Sequence, residues 1–182
     1  MKVKLFSCIV FMLILSIAIN HNGYSAKTQK GDISNEFTLK ALFIYNFTKH
    51  VDWSNTNTND KFKIVIAGKS DITKCLESIL QNRKIQNKSI EIIKSISEEN
   101  IQNAQILFVT KGNTKTLKLN LEKLAGKGVL IVTEDYQINT QISCINIIEY
   151  HGRMSFELNE INIHKLGLKI SNQLKELATT QQ

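Results

Sequence analysis

The chain has 182 residues, 42 % hydrophobic, with no proline and a formal net charge of +7. That is one domain's worth of sequence, large enough to bury a core without disulfide staples. The positive excess is lysine scattered singly, with only Arg83 and Arg153 as arginines, which argues against the clustered basic stripe of a nucleic-acid binder.

Lys2 and Lys4 precede an uncharged apolar run over residues 5–19, and polarity then rises to the small residues Gly23, Ser25 and Ala26. Charged start, short apolar core and small-residue exit are the parts of a secretory signal. The run is shorter than the roughly 20 apolar residues of a membrane span. We expect residues 1–25 to be a Sec-type signal peptide cleaved near Ser25, and residues 26–182 to be a single exported domain. Residues 27–33 read as polar and loose.

A helix is expected from Ser34 as N-cap, with Phe37, Ala41, Ile44, Tyr45 and Thr48 on one face, ending near Val51-Asp52-Trp53. Beyond a polar loop, strands are expected at 62–67, 90–93, 105–110 and 129–133. Helices fall between them: from Asp71 to Leu80, one turn from Ser97-Glu98-Glu99, and 114–125 with Leu117, Leu121 and Leu124 in phase, stopped by Gly126 and Gly128. Alternating strands and helices imply a parallel sheet flanked by helices. Strands at 142–148 and 154–158 around Gly152 form a hairpin, and one long helix over 160–178 closes the chain. The expected fold is α/β and three-layer, a mostly parallel sheet flanked by helices, with a C-terminal β-hairpin and a closing helix.

Catalytic and metal motifs are missing from this pattern. Ala67-Gly68-Lys69-Ser70 stands where a phosphate loop would lie, but Lys63 occupies the position of the required earlier glycine. Gly126-Lys127-Gly128 precedes a strand and reads as a turn. His50, His151 and His164 have no partner at metal-ligand spacing. Glu134-Asp135, after the fourth strand, is the best-placed carboxylate pair. No catalytic residue, metal ligand or cofactor is therefore assigned, and the chain is not read as an enzyme. Cys75 and Cys144 form a candidate disulfide in an oxidising compartment, with two buried thiols as the equal alternative.

The stretch Leu39-Lys40-Ala41-Leu42-Phe43-Ile44-Tyr45-Asn46-Phe47-Thr48-Lys49-His50-Val51-Asp52-Trp53 resembles the opening signature of the YfiR-like family of bacterial periplasmic proteins. Strands at Phe62-Lys63-Ile64-Val65-Ile66-Ala67-Gly68, Ile106-Leu107-Phe108-Val109 and Gly128-Val129-Leu130-Ile131-Val132-Thr133 are similar to its sheet. Arg153-Met154-Ser155-Phe156-Glu157-Leu158-Asn159 and the segment 166–174 resemble its close. The signature positions are Tyr45, Asn46, Phe47, Trp53, Phe156 and Asn159. Departures are Ile142-Ser143-Cys144-Ile145-Asn146 where members often have Gly-Gly-Met-Ile-Asn, Ser54 where they have Pro, and too few cysteines for two bridges.

The resemblance implies a periplasmic, non-enzymatic regulator in cyclic-di-GMP signalling. It would restrain an inner-membrane signalling protein, a diguanylate cyclase or a sensor kinase. An outer-membrane lipoprotein would sequester it, and a homodimer is expected. Its partner-binding residues are unassigned. The alternative is a periplasmic small-molecule binding module with a cleft near Gly68, Lys69 and Glu134.

Overall fold

The computed structural model describes residues 28–53, 60–113, 121–134 and 142–179, with side chains omitted at 28–34 and 121. Residues 1–27, hence the expected signal, lie outside that set, as does Asp135. Met1–Asn35 and Glu36–Gln182 are separate compact units. In the first, the backbone is helical from Thr28, which corrects the expected start at Ser34. Residues 27–33 read as polar and loose, but local composition is a weak prior over so few residues.

The second unit is a mixed α/β domain. Helix α1 (Thr28–His50) runs into the two-residue strand β1 (Val51–Asp52). Next come β2 (Lys61–Ala67), α2 (Ile72–Leu80), β3 (Lys84–Ile85), β4 (Lys88–Lys94), α3 (Glu98–Gln102), β5 (Ile106–Val109), α4 (Leu121–Leu124) and β6 (Leu130–Thr133). The chain closes with β7 (Ile145–Tyr150), β8 (Arg153–Leu158), α5 (Glu160–Lys165), β9 (Lys169–Ile170) and α6 (Asn172–Leu177).

Seven strands form one sheet in the order β3-β4-β2-β5-β6-β7-β8. β2 pairs parallel with β4 and β5, β5 with β6, and β6 with β7. The two outer pairs, β3 with β4 and β7 with β8, are antiparallel. All four residues of β5 and of β6 are buried. Such unbroken apolar runs fit strands covered on both faces. The β7–β8 hairpin turns through His151 (φ 50°) and Gly152 (φ 72°), as a two-residue type I′ turn requires.

The β3–β4 hairpin was not expected. Its turn, Gln86 (φ 51°) and Asn87 (φ 62°), has the same type I′ signature without a glycine to announce it. Of the helix expected over 114–125, residues 121–125 fall among the described residues and are helical over Leu121–Leu124.

The single closing helix expected over 160–178 is corrected. α5 stops at Lys165, and Gly167 takes φ 81°. Leu168 N–H then reaches Ile163 O at 3.0 Å and Gly167 N–H reaches His164 O at 3.0 Å, the paired bonds of a Schellman ending. A Cβ on Gly167 would also lie 3.1 Å from the Gly126 Cα. A left-handed glycine at a close approach thus overrides the apolar period that continues past it. Lys169–Ile170 then pairs antiparallel with Val51–Asp52. Ser171 caps α6, its hydroxyl accepting from Leu174 N–H at 3.2 Å.

Candidate functional site

The ends of β2, β5 and β6 carry a polar cluster. Glu134, just past β6, is 9 % exposed. Its Oε2 lies 2.5 Å from Lys40 Nζ of α1, and its Oε1 accepts Lys111 N–H at 2.9 Å. Lys40 also reaches the half-exposed Glu36 at 2.5 Å. Burial by itself pulls the Lys40 ammonium down, but hydrogen bonds and attraction from Glu134 and Glu36 outweigh it, so its pKa is raised. Beside this pair, the Thr133 hydroxyl lies 2.9 Å from Ser143 Oγ and 2.8 Å from Asn146 Oδ1. Asn146 donates to Glu157 at 3.3 Å, and Asn162 donates to Ser143 O at 2.9 Å. These bonds tie β6, β7, β8 and α5 together.

Among the described residues, the space directly over Gly68 is occupied. A Cβ on Gly68 would meet Thr110 Oγ1 at 2.0 Å and Asn113 Nδ2 at 2.3 Å. Thr110 in turn donates to Ala67 O at 3.2 Å and Asn113 to Thr110 Oγ1 at 2.8 Å. These two side chains pack against the Gly68 backbone, which is why this position tolerates no side chain of its own. Lys69 is exposed, and the cation held by Glu134 is Lys40.

The signature residues divide by role. Phe47 is buried, its ring 5.2 Å from Phe156 and 5.9 Å from Phe43, so this trio docks α1 on β8. Trp53 is buried edge-to-face on Phe62 at 5.2 Å and donates from Nε1 to Gln105 O at 3.3 Å. Asn159 caps α5 by accepting Asn162 N–H at 3.0 Å. Asn46 is exposed and accepts from Lys49 at 3.1 Å. Tyr45 is half-buried against the core, with the Arg83 guanidinium 4.9 Å and the Lys49 ammonium 4.5 Å from its ring. Arg83 also donates to the Tyr45 hydroxyl at 3.1 Å. Arg83 carried no signal in the sequence, because its partner lies 38 positions away.

Cys75 and Cys144 are both free thiols. Cys144 sits beside β6, its N–H bonded to Ile131 O, whereas Cys75 is on α2, which packs against β4. β5 and β2 lie between. At about 4.8 Å per strand the gap exceeds the roughly 4.4–6.8 Å Cα reach of a disulfide. Burial pushes the Cys144 thiol up to about 12, so it lacks the thiolate that reacts. With iodoacetamide on the native protein, Cys75 should label first and Cys144 only as fast as the sheet opens. Equal rates, or no labelling before reduction, would contradict this placement.

Among the described residues, no group of three or more His, Cys, Asp and Glu is placed to hold a metal ion. His50 Nδ1 instead lies 3.0 Å from Ser171 Oγ at the β1–β9 clip. Among those residues, no helix is long and apolar enough to cross a membrane. Surface features are more distinctive. α1 exposes Leu39 (47 %) and Leu42 (39 %), and an open groove of about 410 Å³ lies between the C-terminal end of α2 and β4.

A family model described as YfiR/HmsC-like matches residues 37–179, from the first turns of α1 within the domain to the last described residue. Over 92 residues the chain is 36 % identical to an uncharacterized protein of Buchnera aphidicola subsp. Baizongia pistaciae (strain Bp). That match covers 50 % of this chain and 66 % of the other, a little under two thirds of the relative's length.

Proposed function

This chain belongs to the YfiR/HmsC-like family, and from that premise we propose that it is a periplasmic, non-enzymatic regulator that binds and restrains a membrane signalling protein in cyclic-di-GMP control. The observation that carries the reading is the family match over nearly the whole α/β domain. Restraint of this kind needs no chemistry. A protein that binds one conformation of its partner more tightly than another shifts the partner toward it. Moving that equilibrium from mostly active to mostly inactive takes a differential affinity of about 10⁴-fold.

The polar groups at the strand ends support a binding rather than a catalytic role. Glu134 is engaged with Lys40 and the Lys111 N–H, Thr133 with Asn146, and Asn162 with the Ser143 carbonyl, which holds the fold rather than a reacting group. Residues 1–25 act in this reading as the export signal that puts the domain beside its partner. The partner is an inner-membrane diguanylate cyclase or sensor kinase, with an outer-membrane lipoprotein as the sequestering factor and a homodimer as the resting state.

Crosslinking and pull-down from intact envelopes test the reading. We expect a membrane sensor to be enriched over an unrelated exported control, and cellular cyclic-di-GMP to rise when the chain is removed. Absence of enrichment together with unchanged cyclic-di-GMP overturns it. Native mass spectrometry separates the small-molecule alternative, which requires a stoichiometric bound ligand on the purified protein.

A further inference from the structure

β4 is only half covered on its outer side. β3 pairs with Lys88 and Ser89 alone, and no other described residue pairs with the outer edge of 90–94. The backbone direction follows from two bonds. Ser95 donates its N–H to Ile66 O of β2, and Ile85 and Lys88 close the two-residue turn of the hairpin. Successive residues of a strand point their backbone polar groups to opposite sides, so those of Ile90, Ile92 and Lys94 face away from β2. They are a row of donors and acceptors ready for another strand.

Beside that row lies the groove of about 410 Å³, lined by Glu77, Leu80 and Arg83 on one side and Ser89, Ile90 and Ile92 on the other. Ile90 and Ile92, two positions apart on one face of the strand, both line it. Just past the strand, Ile96 is 69 % exposed. The charges around this edge are mostly basic: Arg83 lines the groove, Lys84 and Lys94 on the hairpin strands beside it are exposed, and Glu91 is engaged with Lys61 at 3.8 Å. Glu77 is the acid that lines the groove.

We propose that the outer edge of β4 and the adjoining groove bind an extended acidic segment of the partner protein as an added β-strand. Main-chain bonds to Ile90, Ile92 and Lys94 would supply affinity, and the groove with the basic charges around it would supply specificity. The charge selects the occupant. A second copy of this chain would bring its own Lys84 and Lys94 to the same edge, adding like charge to like, and lysine on an edge opposes self-pairing. An acidic strand meets the same residues with complementary sign. This inference rests on the reading that the domain works by binding a partner, and it names where.

The test uses a fluorescein-labelled peptide alternating valine with glutamate, and a control with lysine in place of glutamate, titrated by fluorescence anisotropy. The purified chain should bind the acidic peptide and not the basic one. Ile92→Pro removes an outward N–H, a change an edge strand tolerates, and should weaken binding by at least about tenfold. Lys84→Glu/Lys94→Glu should weaken the acidic peptide and admit the basic one. Circular dichroism of both variants should match the parent. Equal binding of both peptides, or unchanged affinity in the folded variants, overturns the proposal. So does a dimer of the parent chain that Ile92→Pro dissociates without any peptide binding. The envelope crosslinking, repeated with Ile92→Pro, keeps the two readings apart. A sensor captured equally by parent and variant sinks the edge inference alone, whereas no capture by either sinks the regulatory reading.

Discussion

Phe47→Ala should destabilise the domain by about 3–5 kcal/mol, the usual cost of emptying a large aromatic site in a core. Phe47 is 1 % exposed and sits where the opening helix meets the closing hairpin. Its ring meets Phe156 at an interplanar angle of 71° and Phe43 at 46°. Alanine would leave both neighbouring rings without a contact that water cannot replace. For a domain of this size the melting temperature should fall by on the order of 10 °C. A double-mutant cycle with Phe156→Leu should return a coupling of about 0.5–1.5 kcal/mol for the ring pair. A loss below about 1 kcal/mol in urea unfolding would mean that α1 is not held on β8 through these rings. Because Phe47 and Phe156 are both signature positions, the same result would separate what keeps the fold from what meets a partner.

Lys40→Met should cost about 3 kcal/mol by stranding a buried carboxylate. The side chains of Lys40 and Glu134 are 12 % and 6 % exposed. Without the ammonium, Glu134 keeps only the Lys111 N–H as a partner among the described residues. Glu36 is less affected, since half of its side chain stays in water. The double change Lys40→Met/Glu134→Gln should recover most of the loss, because a glutamine Oε1 still accepts from Lys111 and no charge is left uncompensated. A double variant as weak as the single would show that the two charges are not coupled.

The pair also sets an alkaline limit. The folded pKa of Lys40 is raised from 10.5, so the folded state holds its proton more tightly than the unfolded chain. Its stabilisation is complete below 10.5 and lost as the pH climbs through the raised value. Cys144 acts with the same sign, its thiol raised from 9.0 to about 12 by burial. Its contribution begins to fall near pH 9, where the unfolded thiol ionises. Unfolding followed upward from pH 10 should show parent and Lys40→Met declining together at first, and Lys40→Met with the shallower decline above 10.5.

Elements whose cause is local were legible in the sequence. β5 and β6 are short apolar runs, and α2 buries Ile72, Leu76 and Leu80 at helical spacing. The β7–β8 turn carries a glycine, and Ser97 caps α3 by accepting Asn100 N–H at 3.3 Å. Even the family resemblance was readable, because the signature run 39–53 is contiguous. Elements set by distant chain were not. β1 and β9 are two residues each, too short for any pattern, and exist because they pair with each other. Gly167 falls inside the expected closing helix, and its φ of 81° beside the Gly126 backbone, 3.1 Å from where its Cβ would lie, makes it a stop.

What the sequence determined by itself is the alternation of strands and helices, the apolar core strands and the family, because each is written in neighbouring residues. Only the tertiary structure decided which polar groups are committed and which stay free. Glu134 read as a loop carboxylate open to ligand, yet it meets a lysine 94 positions earlier and serves as a fold lock. Ile90 and Ile92 read as an ordinary apolar strand, yet the two-residue length of β3 leaves their outer backbone without a strand partner among the described residues. In both cases the deciding quantity is which segment folds alongside, and hydrophobic period and local spacing do not encode it.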